Sequence, residues 1–408
     1  MRTFSGLLIF LIFGLSACTG GAEPSEISQA ATATVVPATE TAVPPTTTAN
    51  PTATMTPLPT ETPTPAPTVT PTTEPTETAV PDAVRFPVQS QFTIYGEAPA
   101  VPNDNIGPSG KQFTDPGGTI YYDGQFHMFH NAFTGWPAAV EVMYSVSDDG
   151  INWTLAQEEP VFDGTDLDYV GVAALASSVI VLEDGTWAMY FYTWDDYSWP
   201  VSASSIGLAT APSPFGPWTA MQRPILTPGK SGEWDELAVR TPSVVSTEDG
   251  YVMFYGGFQE SLSHIGQAFS ADGLTWEKYD DPSTTEAPYA QSDPVFSGMG
   301  TGWDKANVYQ PRVRQTEDGW VMLYTGANRI NGNSLQQGHG LAYSKDGAEW
   351  QRSETVVFRP GNVTSSGQNI WYTELEYALD TYYIFLELGT GGETEIYVAT
   401  FDKSLLPE

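Results

Sequence analysis

The sequence predicts an all-β fold, a five-bladed β-propeller of four-stranded antiparallel blades, and three recurring features carry that reading. The first is a hairpin unit, Asp115-Pro116-Gly117-Gly118-Thr119-Ile120-Tyr121-Tyr122-Asp123-Gly124-Gln125-Phe126-His127-Met128-Phe129. It reads as an apolar run, an Asp-Gly turn and a second, aromatic-rich run. Asp-Gly suits a two-residue hairpin turn because both residues tolerate positive φ. The unit returns at Thr241-Pro242 with Asp249-Gly250 and at Gln310-Pro311 with Asp318-Gly319, with weaker copies at Ala176-Ser177 before Asp184-Gly185 and Tyr372-Thr373 before Asp380-Thr381. The five turn aspartates are spaced 61 to 69 residues apart, and a period of that kind marks a repeat architecture.

The second feature is Ser-x-Asp-Gly-x-x-Trp at the end of each third strand: Ser147 to Trp153, Ser270 to Trp276 and Ser344 to Trp350, with Ser213-Pro214-Phe215-Gly216-Pro217-Trp218 taking its place in the second repeat. A mark present once per blade serves the blade, with Ser and Asp capping a turn and Trp packing outward. The third is a short apolar run after each Trp: Pro160-Val161-Phe162, Pro224-Ile225-Leu226, Pro294-Val295-Phe296 and Val356-Val357-Phe358. These are expected to be the fourth strands, which makes each repeat one propeller blade.

Taken in order, residues 1–18 read as a targeting segment: Arg2 gives the positive end and Leu7 to Leu15 the apolar stretch. Leu15-Ser16-Ala17-Cys18 matches a bacterial lipobox, in which Cys18, the only cysteine of the chain, becomes the lipidated N-terminus. With no other thiol, the remainder uses no disulfide, no Cys-ligated metal and no Cys nucleophile. Residues 19–84 are rich in Thr, Pro and Ala, contain no Lys or Arg, and are expected to form a disordered tether stiffened by proline. Residues 85–408 form the propeller. The fifth copy ends soon after its third strand, Glu395 to Thr400, and a spare strand signal lies at Gln91 to Tyr95. The N-terminal strand is therefore expected to complete the last blade, because an unpaired edge is a liability.

From Arg85 onward there are 42 acidic and 14 basic side chains. Such a field repels nucleic acid and anionic lipid, so contact with the membrane is expected through the lipid anchor only. The four histidines, His127, His130, His264 and His339, show no metal spacing, and no cofactor or metal is called for. His264 and His339 start third strands and stand as candidates to border a pocket. The sequence does not speak to oligomeric state.

The repeat pattern resembles the five-bladed propeller glycosidase superfamily of invertases, levansucrases, arabinanases and xylosidases. Asp115 to Gly124 is similar to the invertase Asn-Asp-Pro-Asn-Gly segment and the hairpin after it. The resemblance implies a carbohydrate substrate and Asp115 as nucleophile or base, one of the two carboxyl groups that glycoside hydrolysis uses. It also implies an Asp at the position of Ala176 and an acid Glu at that of Arg240, and neither carboxylate is present. In a propeller the residues before the repeating Pro are expected to face one central pocket: Asp115, Ala176, Thr241, Gln310 and Tyr372. Asp195, Asp196 and Glu260, in loops expected to open on the same face, are candidates for the missing acid, as are Glu374 and Glu376. Trp136, Trp194, Tyr197, Trp199 and Phe258 in the same loops either stack on sugar faces or close gaps between blades. Arg240 and Arg312 either clamp an anionic sugar or neutralise nearby acids. The sequence thus points to a surface-displayed glycosidase, with a non-catalytic glycan-binding propeller as the alternative. Replacing Cys18 with Ser should move the protein from the membrane fraction to a soluble form, and retention in the membrane at wild-type levels would refute the lipoprotein reading.

Overall fold

Five antiparallel sheets follow one another along the chain, each built by the same path from an inner to an outer strand. The computed structural model describes residues 85–103, 113–197, 202–260, 262–328, 338–365, 369–390 and 393–406; the segment and tether predicted over 1–84 lie outside the described residues. Strand β1 is Thr93–Tyr95. Blade 1 comprises β2 (Phe113–Tyr122), β3 (Gln125–Phe133), β4 (Glu141–Ser147) and β5 (Thr154–Leu155). Blade 2 comprises β6 (Ala173–Val181), β7 (Trp187–Trp194), β8 (Ile206–Ala211) and β9 (Thr219–Ala220). Blade 3 comprises β10 (Ala238–Thr247), β11 (Gly250–Gln259), β12 (Leu262–Ser270), β13 (Glu277–Lys278) and β14 (Pro294–Phe296). Blade 4 comprises β15 (Asn307–Thr316), β16 (Gly319–Ala327), β17 (Gly338–Ser344) and β18 (Gln351–Arg352). Blade 5 comprises β19 (Asn369–Ala378), β20 (Thr381–Thr390) and β21 (Glu393–Asp402). As expected, β1 closes this last blade by pairing with β21, Ile94 opposite Ala399.

Two expectations are corrected. The apolar runs after each Trp are not the fourth strands. The two residues directly after each Trp pair with the third strand instead, and Phe162, Leu226 and Phe358 add only single bridges further along it. In blade 3 the run is a short strand, β14, that shares β12 with β13. The outer edge of a blade is thus divided between two short segments, which leaves no long unpaired edge for another chain to join. The hairpin turns also vary. Asp123-Gly124 forms the turn of blade 1 with both residues at positive φ, whereas in blade 5 the pair is Leu379-Asp380.

The Ser-x-Asp-Gly-x-x-Trp copies are turns of one construction. The Ser147 hydroxyl accepts from Gly150 N–H, Asp149 Oδ1 accepts from Ile151 and Asn152 N–H, and Trp153 Nε1 donates to the Gly150 carbonyl. The same backbone-to-side-chain bonds recur around Ser270 and Asp272 and around Ser344 and Asp346. The Trp does not pack outward but onto the middle strand of the preceding blade. Trp153 meets Phe385, Trp218 meets Phe129, Trp276 meets Tyr190 and Trp350 meets Phe254, all edge-on at 5.4 to 5.8 Å. Edge-to-face is the favoured geometry for such pairs. Trp234 and Trp303 are stacked on Tyr255 and Tyr324.

Every inner strand carries a register shift at its repeating position, between Asp115 and Gly118, Ala176 and Ser178, Arg240 and Ser243, Tyr309 and Arg312, and Ile370 and Thr373. In blades 1, 3 and 4 the bulge accommodates Pro, which has no N–H to give to the ladder, and in every blade it bends the strand at the propeller centre. The axis is filled by Arg312. Its guanidinium, 1% exposed, donates to the Thr373 carbonyl of blade 5, the Ser177 hydroxyl of blade 2 and the Thr241 carbonyl of blade 3. Arg314 reaches the Thr119 carbonyl of blade 1 and the carboxylates of Glu374 and Glu376. Because β1 supplies the outer edge of blade 5, a chain starting at Gly96 should aggregate or melt clearly below one starting at Arg85. Equal melting temperatures would show that ring closure does not depend on β1.

Candidate active site

Asp115 is the last residue of β2 to pair with β3, opposite Asn131, before the bulge that leaves Pro116 and Gly117 out of the ladder, and the local sequence is tailored to it. A Cβ on Gly117 would stand 2.1 Å from the Phe129 carbonyl oxygen of β3, and one on Gly118 would stand 2.7 Å from Val179 N of blade 2, so only glycine fits between the hairpin partner and the next blade here. Asp115 is 2% exposed. Its Oδ1 accepts a 2.7 Å hydrogen bond from Asn131 Nδ2, while Oδ2 is buried without a partner.

Asp115 lies on the wall of a cavity of about 430 Å³, within the range of small-molecule sites, about 300–1,000 Å³. Blade 1 contributes Phe113, Asp115, Phe133, Trp136 and Pro137; blade 2 contributes Leu175; blade 5 contributes Trp371, Tyr372, Glu387 and Thr394. The walls are mainly aromatic, with polar groups converging from blades 1 and 5. Phe113 and Phe133 stack at 5.5 Å, and Trp136 stands edge-on to Phe133. Trp371 is partly exposed.

Glu387, in the middle of β20 and 3% exposed, is the second carboxyl group of the cavity. Its Oε2 accepts from Tyr372 N–H at 3.1 Å. Burial pushes Asp115 up to about 7, opposed by the Asn131 hydrogen bond and the Arg312 guanidinium. Burial pushes Glu387 up well above the usual carboxylate range, and the Asp115 carboxylate adds to the effect. Two buried acids that face one cavity do not readily ionise together, so the pair retains a proton near neutrality. The cation at the axis favours ionisation of Asp115, whereas the Asp115 carboxylate disfavours ionisation of Glu387. Tyr372 is pushed up to about 12, first by burial, and remains a neutral phenol. The Tyr192 hydroxyl lies beside it, buried and without a well-aligned hydrogen bond.

Of the five positions predicted to face one pocket, Asp115 and Tyr372 line the cavity and the other three do not. Ala176 packs in the core between blades 1 and 2. Thr241 and Gln310 are buried at positive φ, and Gln310 accepts from the Thr325 hydroxyl. The loop acids are likewise elsewhere. Asp195 is half-buried and accepts from Thr193 Oγ1 at 2.6 Å, Asp196 is exposed, and Glu260 is exposed in the turn after β11. Glu374 and Glu376 are spent on Arg312 and Arg314.

Trp136 lines the cavity as predicted, but Trp194 does not. It is 2% exposed, with Trp136 edge-on at 4.8 Å and the Arg240 guanidinium 4.1 Å over its ring. Arg240 is itself buried, donates to the Ser202 carbonyl and also covers Phe258. Burial lowers it to about 10. Trp199 lies outside the described residues. His264 and His339 are packed into blades 3 and 4 rather than bordering the cavity, and burial holds both below the ordinary imidazole range. Among the described residues no cluster of His, Cys, Asp and Glu has the form of a metal site. Sequence reasoning missed Glu387, Trp371 and Asn131. The available signal for Glu387 was a lone acid within the apolar run Tyr382 to Leu388.

The family model for the glycosyl hydrolases family 32 N-terminal domain matches residues 106–292. A β-1,2-mannobiose phosphorylase from a Thermoanaerobacter species is 28% identical over 119 residues, a stretch that is 26% of this chain and 35% of that protein. The match thus spans about a third of the length of this curated relative. Solved structures share the fold. One comes from the GH130 family of mannoside phosphorylases, described with it as containing glycoside hydrolases that target β-1,2 mannosidic linkages in Candida mannan. It has a TM-score of 0.57 at 16% identity and covers 79% of this chain and 94% of that one. A glycosyl hydrolase from Bacteroides ovatus gives 0.56 at 16% identity with the same coverage of both chains. A family 117 glycoside hydrolase from Zobellia galactanivorans gives 0.54 at 19%, covering 78% of this chain and 91% of that one. The chain folds as a five-bladed propeller, and its residues 106–292 are similar to the glycosyl hydrolases family 32 N-terminal domain.

The raised Asp115 value has a consequence for stability. The folded protein holds this proton more tightly than the unfolded chain, where the carboxyl titrates near 3.8. The stabilisation from that proton is complete below the unfolded value and is lost as pH rises toward about 7. Asp115→Asn removes the ionisation, so its melting temperature should gain on wild type between about pH 4 and pH 8. A constant gap across that interval would refute the assignment.

Proposed function

We propose that this protein is a glycoside hydrolase that works in the cavity between blades 5, 1 and 2. The observation that carries the reading is the pair of buried carboxyl groups, Asp115 and Glu387, on one aromatic-lined wall. In the proposed reaction Glu387, which holds its proton, donates it to the leaving oxygen. Asp115, whose Oδ2 is unengaged, serves as nucleophile or base on the anomeric side. Trp136, Trp371 and Tyr372 offer ring faces to the apolar faces of a sugar. β-Linked mannosides are the first substrates to test, since the curated relative and one structural neighbour are named for mannosides. Display at the extracytoplasmic face of the membrane through Cys18 is part of the same proposal, supported by the lipobox and the proline-rich tether.

The test is turnover of aryl and disaccharide β-glycosides by wild type, Asp115→Asn and Glu387→Gln. Each variant should lose about 10²–10⁴-fold in kcat, the span of acid–base contributions, while sugar affinity changes little because the loss falls on the transition state. Wild-type kcat/KM should rise as pH passes about 7, where Asp115 ionises. Sugar binding without turnover by wild type would overturn the enzyme reading in favour of a glycan-binding propeller.

A further inference from the structure

Asn131 sits on β3, 1% exposed, opposite Asp115 in the hairpin of blade 1. All of its amide is used, and used in two directions. Nδ2 donates to Asp115 Oδ1 at 2.7 Å and to the Ala176 carbonyl at 2.9 Å, while Oδ1 accepts from Ala176 N–H at 2.8 Å. Ala176 occupies in blade 2 the bulge position that Asp115 occupies in blade 1. The amide therefore satisfies both backbone groups at one bulge and fixes the carboxyl group at the other. With Oδ1 engaged, Oδ2 is the oxygen of Asp115 that remains unpartnered.

We propose that Asn131 is a positioning residue, which holds Asp115 for reaction by anchoring it to the seam between blades 1 and 2; this rests on the glycosidase reading of the cavity. A side chain with both a donor and an acceptor is required. Two bonds lock the amide to the Ala176 backbone, so the remaining N–H points at Asp115 without freedom to rotate. An Asp at position 131 would lose the donor, and an Ala would lose the whole link. The other groups that bear on Asp115 are Glu387 on β20, Tyr372 on β19, Tyr192 on β7 and Arg312 on β15. β21 presents the hydroxyl of Thr394, and β6 has no titratable side chain. None of these needs to move when Asn131 is changed. The effect of Asn131 is thus separable from theirs.

The experiment titrates the Asp115 carboxyl group directly, by carbon-13 NMR of aspartate-labelled protein with Asp115→Asn to assign the signal, in wild type, Asn131→Ala and Asn131→Asp. Loss of a hydrogen bond to the ionised form should raise the midpoint by about one to two pH units in the Ala variant. Asn131→Asp keeps the size and the bond from Ala176 N–H, so it preserves the seam if Ala does not, and like charge should raise the midpoint further. Where turnover is measurable, Asn131→Ala should lower kcat more than it raises KM, shift the acid limb of kcat/KM upward, and add little to the loss in Asp115→Asn. An unchanged midpoint in both variants would overturn the proposal. Absence of turnover in wild type would overturn the glycosidase reading alone, since the titration decides the role of Asn131 without it.

Discussion

The structure depends on a guanidinium at its axis. Arg312 belongs to blade 4, yet its donors reach blades 2, 3 and 5, and Arg314 two residues on reaches blade 1. A planar fork with five N–H donors suits a ring of converging carbonyls and hydroxyls, whereas an ammonium on a flexible stem does not. The charge is matched by Glu374, with Arg312 Nε 2.7 Å from its carboxylate. A buried pair of this kind is weak as a source of net stability, but removing one partner costs about 3–5 kcal/mol because the other charge is left unpaired. The pair is therefore better understood as what fixes the five inner strands in register than as what drives them together. That driving force comes from the aromatic contacts between blades.

A filled axis has a consequence for chemistry. The pit at the centre, toward which the five repeating positions were expected to point, is occupied by protein. The open volume lies to one side, over blades 5, 1 and 2. Asp115 consequently faces Glu387 on the neighbouring blade rather than an acid from blade 3. The asymmetry between the two carboxyl groups follows from what surrounds them. Asp115 has Arg312 and the Asn131 amide on its side, both of which favour the ionised form. Glu387 has the Asp115 carboxylate, which disfavours it. Environments that push two acids apart in this way assign one to hold a proton and the other to release it.

Much of the fold was legible because it is written locally. The recurring hairpin unit located all five inner strands, and the Ser, Asp and Trp of the third-strand turns in blades 1, 3 and 4 were visible within seven residues. The edge strand supplied by β1 could be inferred from an incomplete last repeat. The site was legible only in part. Asp115, Trp136 and Tyr372 stand in repeat positions or conspicuous loops. Glu387 reaches Asp115 only when the ring closes, 272 residues away along the chain. Nothing in a strand such as Tyr382 to Leu388 says which blade its one acid will face. Asn131 was hidden for a similar reason, since its partner Ala176 lies in the next repeat. The two roles open to Trp194 were not separable in sequence, because an aromatic at the end of a strand looks the same whether it meets a ligand or an arginine.

Arg240 connects the absent acid of blade 3 with the burial of Trp194. The resemblance to propeller glycosidases placed a carboxylate at that position, and a cation stands there instead. Its guanidinium lies over Trp194 and beside Phe258, and it donates to the Ser202 carbonyl. Stacking on aromatic rings offsets part of the cost of burying the charge. This packing withdraws Trp194 from the solvent and leaves Trp136, edge-on to it, as the aromatic of that ladder which reaches the cavity. A carboxylate at position 240 would not stack in this way, because the negative face of an indole repels an anion. The change of sign at one residue thus accounts for both the absence of an acid on blade 3 and the burial of Trp194. With blade 3 closed off by this stack, the second carboxyl group of the cavity comes from blade 5, across the seam that the N-terminal strand and β21 close.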